Sequence, residues 1–387
     1  MATSRQPSST GNVNSAQVVI DMDEKVYHLE PSATPLTKLL TMVKSNVRTV
    51  TNPKFQIMRQ EVIGRRTTVG VAGYASTTAN TAIPCADSSL FSVGSVVENI
   101  QTGEHMRVAS IDSATQFTAE RQVGSVSAAA GTSGDTLIRL GTSFSEGADV
   151  PSPNVRTLDD EYNYTQIFRR SFGVTNTARA TKMYSGPELD RIRGDQGIEF
   201  ALDIEHAFLF GQRGSLNLTG DQPRRMTRGL LRTLSTNVYP SGGALSESNF
   251  EINFLEGLFR YGSDTKVLLA SARLISVLDA FGRSKLQIDE QMSTKLGVAV
   301  KDYISGHGML KVIKHKLLEG NTYSGYGIAI DPKYLRMAVL QGRNTKLLTN
   351  RQNPGVDGVV EEYLAEVGLD ITLEKVHGVI TGVTSAA

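Results

Sequence analysis

The chain has 387 residues, with 40 Lys plus Arg against 39 Asp plus Glu, a formal net charge of +1. At roughly 150 residues per domain this length predicts two or three packed units, and the near-neutral balance excludes the overall basic excess of a dedicated nucleic-acid or membrane-surface protein. A single cysteine, Cys85, excludes an intrachain disulfide and a four-cysteine zinc site, while 20% charged residues and 36 glycines lean towards turns and strands.

The opening stretch "MATSRQPSSTGNVNSAQ" has no apolar core behind its charge and does not read as a secretory signal. Residues 1 to about 20 have the polar composition of a tail that is flexible or orders only on a neighbour. No apolar run approaches the ~18 residues of a membrane span, so the chain is expected to be soluble and made inside a cell. The sequons at Asn163 and Asn217 are then chance matches.

From Pro31 to Ala72 the charges are Lys38, Lys44, Arg48, Lys54, Arg59, Arg65 and Arg66 against Glu61 alone, a local balance of +6. Such a cationic arm suits phosphate or an acidic partner surface, with a solvated face as the plainer reading. Residues 85 to 150 reverse the sign: eight carboxylates oppose Arg107, Arg121 and Arg139, a balance of −5. Here "VGSVVENI", "HMRVASID", "TQFTAERQV" and "DTLIRLG" predict short strands between Gly, Ser, Asp and Thr turns, an inserted β subdomain. The opposite signs would suit contacts between copies of the chain.

After "YTQIFRRSFGVTNTARAT", expected to be extended, comes the clearest helix. Ser185, Gly186, Pro187 and Glu188 form a capping signature, Leu189, Ile192, Phe200, Ile204 and Phe208 make one apolar stripe, and Gly211 and Gly214 stop it. Over Pro187 to Phe210 it would span roughly 36 Å, a strut on which Glu205 and His206 are expected at the surface. Past the basic turn "RRMTRG", "KVLLAS" predicts a strand and "SARLISVLDAFG" the helix behind it, a second α/β unit. Several strands follow in the stretch from Ala299 to Gly342. Alternation of Tyr363, Ala365, Val367, Leu369, Ile371 and Leu373 predicts a long half-buried strand, with "VHGVITGV" as its pairing partner.

Motifs for catalysis are missing from this sequence. No Gly is followed by Lys, which excludes a Walker loop, and the glycines at Gly306 to Gly308 and Gly325 to Gly327 fit turns better than a pyrophosphate cradle. There is no H-E-x-x-H, EF-hand loop or G-x-S-x-G elbow. Histidines 28, 105, 206, 307, 315 and 377 are scattered; His307 and His315 are the closest pair, with no further ligand to complete a shell. The carboxylate runs at Asp21–Glu24, Asp159–Glu161 and Glu361–Glu362 are expected to be solvated charge. No catalytic, cofactor-binding or metal residue is assigned and no cofactor is expected.

Several segments, in order, resemble the major capsid proteins of tailed bacteriophages: "EPSATPLTKLL", "NYTQIFRRSFGVTNTARAT", "GIEFALDIEHAFLFGQR", "RRMTRGLL" and "YISGHGMLKVIKHKLL…IAIDPKYLRMAVL". The similarity runs from about Glu30 to Val383 and rests on number and order of segments, not on a chemical signature. The resemblance implies an α+β chain with the tailed-phage (Hong Kong 97-like) capsid fold. It would comprise an N-terminal arm (1–54), an extended loop (55–160) carrying the β insert at about 85–150, a peripheral domain (161–235 and 331–387) built on a spine helix at about 187–210, and an α/β axial domain (236–330).

The implied function is self-assembly through pentamers and hexamers into an icosahedral virion shell, without catalysis. Its partners would be copies of itself, portal, scaffold and decoration proteins, and double-stranded DNA held on the inner surface without sequence specificity; no membrane is involved. Two features depart from the simplest family members: the acidic β insert, and the lack of a long helical segment before the arm, which implies a separate scaffold protein or none. An encapsulin-like cargo shell would share the fold, and a hydrolase with an unrecognised site is the enzyme alternative. Arg65, Arg66, Arg169 and Arg170 are the candidate intersubunit ion-pair donors, against solvated arginines as the plain reading.

Overall fold

A computed structural model describes residues 34–42, 44–60, 64–150, 158–182, 187–216, 222–281, 286–288 and 300–387. The expected N-terminal tail, His28, the Asp21–Glu24 run, the Ser185–Gly186 capping signature and the Asn217 sequon lie outside these residues. In chain order the first elements are α1 (Pro35–Met42), β1 (Val47–Val50) and β2 (Lys54–Arg59). Next come β3 (Arg66–Thr68), β4 (Thr81–Pro84), β5 (Ser95–Asn99), β6 (His105–Ser113), β7 (Gln116–Glu120) and β8 (Thr136–Thr142). Then follow β9 (Asp159–Tyr164), β10 (Gln166–Thr175), α2 (Asn176–Ala180), α3 (Glu188–Phe210), β11 (Gly214–Leu216), β12 (Arg224–Met226), α4 (Leu230–Thr233) and β13 (Val238–Leu245). Helix α5 (Glu247–Asn249) continues through a π turn, Phe250–Leu255, into α6 (Glu256–Phe259). The remainder is β14 (Thr265–Ala270), α7 (Ala272–Ala280), β15 (Leu286–Ile288), β16 (Val300–Ser305), β17 (Gly308–Lys314), β18 (Gly327–Ile330), β19 (Leu335–Leu340), β20 (Lys346–Leu348), β21 (Gly358–Ile371) and β22 (Gly378–Ala386), with a short helical turn at Gly320–Tyr323 before β18.

Two compact units result: Met58–Asp159, and the rest of the chain. In the first, strands pair in the order β3-β8-β5-β6-β7-β4, and an antiparallel bridge from Val69 to Cys85 joins the two ends into a small barrel. The sheet therefore starts at Arg66, earlier than the acidic block at 85, because β3 and β4 supply the pairing that closes it. Closure removes the exposed strand edges that an open sheet of this size would present. Alternate residues point inward: Val97, Met106, Val108, Phe117, Ala119 and Leu137 are buried with Phe91, whose ring lies 5.0 Å from that of Phe117. The Cys85 thiol lies in this core, and burial pushes its pKa up to about 11, which leaves it protonated and unreactive at neutral pH.

Two larger sheets build the second unit. One runs β1-β19-β21-β10, with β20 also on β21; the other runs β13-β22-β18-β14-β17-β16-β15. β14 shows why "KVLLAS" is an unbroken apolar run: Val267 and Leu269 face one core with Ile328, Ile330 and α3, while Leu268 and Ala270 face another with α7 and the Phe250–Leu258 segment. A strand buried on both faces cannot alternate. Ser271 caps α7 by accepting the Leu274 N–H at 3.2 Å.

Helix α3 begins one residue after the expected Pro187 and ends at Phe210. Phe200, Ile204 and Phe208 are buried, whereas Leu189 and Ile192 nearer its start are only half-buried. The gap in its apolar stripe is occupied by Gln196, which accepts from Arg170 Nε at 2.7 Å. The helix stops where two glycines cross: the Gly229 N–H donates to the Gly211 carbonyl at 2.9 Å, and a Cβ on Gly211 would lie 2.6 Å from the Thr227 carbonyl.

Three expectations need correction. The segment after β10 is helical at Asn176–Ala180, because the Thr175 hydroxyl caps it by accepting the Ala178 N–H. "RRM" of the expected turn is strand β12, paired with β11. Strand β22 does not pair with β21: it lies parallel to β13 and antiparallel to β18, in the other sheet. The reason is the intervening turn at Glu374, whose carboxylate accepts the Ser235 and Thr236 N–H groups, both at 2.7 Å, and so carries the chain from one sheet to the next.

Candidate interaction surfaces

The four arginines singled out from the sequence do not form one cluster. Arg65 and Arg66 are exposed at the start of the barrel unit. Arg169 and Arg170 are neighbours on β10 and therefore point to opposite faces of its sheet. Arg170 faces α3, where it meets Gln196, Asp203 at 3.0 Å, and Glu199. Arg169 faces away and pairs with Glu362, its Nη2 3.0 Å from Oε2 and its Nε also on that carboxylate.

Glu362 belongs to a row of carboxylates on β21 that the expectation of solvated charge missed. Glu361, Glu362, Glu366 and Asp370 are 1%, 4%, 5% and 0% exposed. Each is matched by arginine: Arg193 on α3 binds both oxygens of Glu361 at 2.6 Å, Arg343 reaches Glu366 at 2.5 Å, and Arg48 and Arg336 reach Asp370 at 3.1 and 3.0 Å. Hydrogen bonds from Arg193 and Arg169 hold Glu361 and Glu362 below the usual carboxylate range. Glu161, half-buried, takes Arg213 and Arg228 at 3.1 and 2.9 Å. These pairs join residues far apart in sequence, 193 positions for Arg169 and Glu362, so no local pattern could have revealed them.

Glu205 is likewise not at the surface. It is fully buried and accepts the Leu36 N–H at 2.7 Å, the Thr37 N–H at 2.8 Å and the Thr37 hydroxyl, and it lies 2.8 Å from His315 Nε2. His315 Nδ1 accepts the Leu317 N–H at 3.3 Å, which places the proton on Nε2 and makes that nitrogen the donor to Glu205. The carboxylate thus caps α1 and fastens it to α3, an arrangement favoured by the positive end of a helix. His206, beside it, is exposed as expected, and so is His307, which does not approach the buried His315.

A second buried group lies at the Glu374 turn. Lys266 Nζ donates to the carbonyls of Leu258, Tyr261 and Val376 at 2.8, 2.8 and 2.6 Å, and burial lowers its pKa to about 8. His377 Nδ1 accepts the Asp331 N–H at 3.1 Å; burial, with Lys266 nearby, lowers the pKa of its ring to about 4. In the barrel unit Arg121 and Glu104 form a fully buried pair at 2.7 and 2.6 Å, with Arg121 also donating to the Ala75 and Ala129 carbonyls. Every one of these charges is used to hold elements together. Among the described residues no group of three or more His, Cys, Asp or Glu is placed to hold a metal ion, and no helix is long and apolar enough to cross a membrane.

What remains for partners is surface. In the barrel unit Val71, Val150 and Met58 are 94%, 93% and 73% exposed, beside partly exposed Val93, Ile100, Ile111, Leu140 and Phe144.

Comparison with known proteins agrees with this picture. A chain from the capsid of the native GTA particle is similar in structure, with a TM-score of 0.50 at 10% identity, covering 98% of this chain and 99% of that one. A chain from Mycobacterium phage Bobi has a TM-score of 0.48 at 10% identity, covering 95% and 96%. The fold is that of the Hong Kong 97-like phage capsid proteins. In sequence, the major capsid protein of Pseudomonas phage PaMx41 is 27% identical over 277 residues, 68% of this chain and 65% of that protein, so the chain matches less than two thirds of the relative's length. The family model described as SU10 major capsid protein matches residues 6–384. With nearly the whole chain matched, the protein belongs to the SU10 major capsid protein family.

Proposed function

We propose that this chain is the repeating subunit of a phage capsid, assembling through pentamers and hexamers into an icosahedral shell around double-stranded DNA and catalysing no covalent reaction. The observation that carries the reading is the family match over residues 6–384. Physical support comes from the barrel unit, whose exposed apolar residues need cover that neighbouring copies supply. Many weak contacts per subunit add up in a closed lattice, so no single interface has to be strong.

In this reading residues 1–54 are the arm, 55–160 the extended loop with its insert at about 85–150, 161–235 and 331–387 the peripheral domain, and 236–330 the axial domain. Arg65, Arg66, Arg169 and Arg170 are the intersubunit ion-pair donors in this reading, Arg169 and Arg170 while also meeting Glu362 and α3 within the chain. Portal, scaffold and decoration proteins complete the particle, which is assembled in the host cytoplasm. Electron microscopy of the purified chain over a range of salt and concentration, alone and with a co-expressed scaffold, tests the reading. Closed shells, tubes, or rings of five and six are expected. Monomers under every condition would overturn it, and shells that hold a protein cargo without DNA would replace it with the encapsulin-like alternative.

A further inference from the structure

Around Glu362 the arginines outnumber the carboxylates. Ser171 on β10 lies directly opposite Glu362 on β21, and Arg169, two residues earlier, stands on the same face. From the other side of β21, Arg351 arrives just past β20; its N–H donates to the Val360 carbonyl at 2.8 Å, and its Nε lies 3.6 Å from Glu362 Oε2. Glu361 and Glu366 each bind one arginine, and the two on Asp370 are only 35% and 32% exposed. At Glu362 two guanidiniums, 59% and 52% exposed, share a carboxylate that is 5% exposed, a surplus of one positive charge. Lys346 on β20, exposed and opposite Leu364 as Arg169 is, adds a third cation to this face.

The surplus surrounds an open cavity of about 390 Å3, lined by Arg169, Ser171, Arg351, Val360 and Glu362. Its donors are unspent. Arg169 gives Glu362 its Nε and one Nη2 hydrogen, which leaves three of a guanidinium's five N–H groups. Among the described residues the Arg351 side chain meets only Glu362, beyond hydrogen-bond length, and the Ser171 hydroxyl meets no partner. Guanidinium forks match pairs of phosphate oxygens, and a phosphate has a further oxygen for a hydroxyl, which a carboxylate lacks.

We propose that the cavity between Arg169, Arg351 and Ser171 binds a phosphate group, with Arg351 and the free edge of Arg169 on its oxygens, Ser171 Oγ donating to another, and Glu362 holding Arg169 in place. The volume lies within the ~300–1,000 Å3 of ordinary ligand sites, so a polyphosphate or a nucleic-acid backbone has room as well as free phosphate. One chain holds the whole site, so binding does not require a shell, and the N–H groups left on Arg169 suffice for an anion and a neighbouring subunit together.

The test titrates the full chain with inorganic pyrophosphate by calorimetry at constant ionic strength. One site per chain is expected, weakened about tenfold by Arg351→Gln and about threefold by Ser171→Ala. Arg232→Gln, which removes the same charge from an exposed position elsewhere, should leave it unchanged. A short DNA duplex is the second probe: displacement of pyrophosphate by the duplex, lost in Arg351→Gln, assigns the phosphate to a nucleic-acid backbone, and binding of pyrophosphate alone assigns it to a free polyphosphate. No saturable binding of either probe, or equal weakening by Arg351→Gln and Arg232→Gln, would overturn the proposal. So would an Arg351→Gln chain that binds pyrophosphate normally and loses only self-association, since a second copy's carboxylate would then be the occupant. Should Arg351→Gln fold poorly, Ser171→Asp at its exposed position gives the second reading: the added carboxylate should weaken pyrophosphate binding at least as much, and unchanged affinity would refute the site.

Discussion

Replacing Glu205 by Gln tests the clasp between α1 and α3 most directly. The carboxylate accepts from two backbone N–H groups, one hydroxyl and one imidazole N–H, and it is fully buried. Glutamine keeps one acceptor oxygen, but its NH2 group faces donors, so at least two of the four bonds are lost or turned repulsive. Hydrogen bonds to a charged group contribute about 1.5–3 kcal/mol each, and a partial rescue by rotation brings the expected cost to about 3 kcal/mol. Global unfolding is not required to relieve this strain, because α1 can lift away and solvate its own amides; that route exposes Leu36, Leu39 and Leu40, which are 0%, 4% and 0% exposed in the native state. The loss should therefore appear as local opening, with the amides of Leu36–Met42 exchanging about 100-fold faster at the tenfold-per-1.4 kcal/mol conversion. Native-state hydrogen exchange read by mass spectrometry on that peptide is the assay. Thr37→Val, which removes only the hydroxyl donor, should give about a fivefold effect. Unchanged protection of α1 in a folded Glu205→Gln protein would refute the clasp.

Three further outcomes follow from the charged groups. Arg193→Ala leaves Glu361, 1% exposed, without its bidentate partner and should cost about 3 kcal/mol in chemical denaturation, with much of the loss recovered in the Arg193→Ala/Glu361→Leu double variant. Arg170→Ala, whose partners Glu199 and Asp203 are 48% and 53% exposed, should cost no more than about 1 kcal/mol by the same measurement. His377 titrates near pH 4 when folded and near its ordinary 6.5 when unfolded, so the unfolded chain binds the extra proton in between and stability falls as pH drops through that window. The fall attributable to it is about 3 kcal/mol at most, at 1.36 kcal/mol per pKa unit. Asp331, Glu374 and Lys266 surround this ring, and Glu374, held below its ordinary range, loses its own contribution only as pH falls through that range, so the decline at this site between pH 6.5 and 4.5 belongs to His377. A His377→Gln chain should show a flatter stability profile there; an equal slope in both proteins would refute the assignment.

Much of the local structure was legible because it depends on neighbours a few residues apart. The stripe on α3, the four strands of the acidic block and the apolar run of β14 all follow from periodicity and turn chemistry, which act over ten to twenty residues. The resemblance to capsid proteins was readable for a related reason: several short segments occurring in one order constrain a family even when each is weak alone. Pairing was another matter. Whether β22 joins β21 or crosses to β13 and β18 depends on Glu374 meeting Ser235 and Thr236, about 138 positions away. The same holds for Glu205, Glu361 and Glu362, which look like solvated charge beside their sequence neighbours and are buried only because Arg193, Arg169 and the start of α1 arrive from distant parts of the chain. By itself, then, the sequence determined most of the helices and strands and which family they resemble. Only the tertiary structure decided which charges are interior, since burying an ion is tolerable when its partner is brought to it by the fold, and that partner is invisible until the chain has closed.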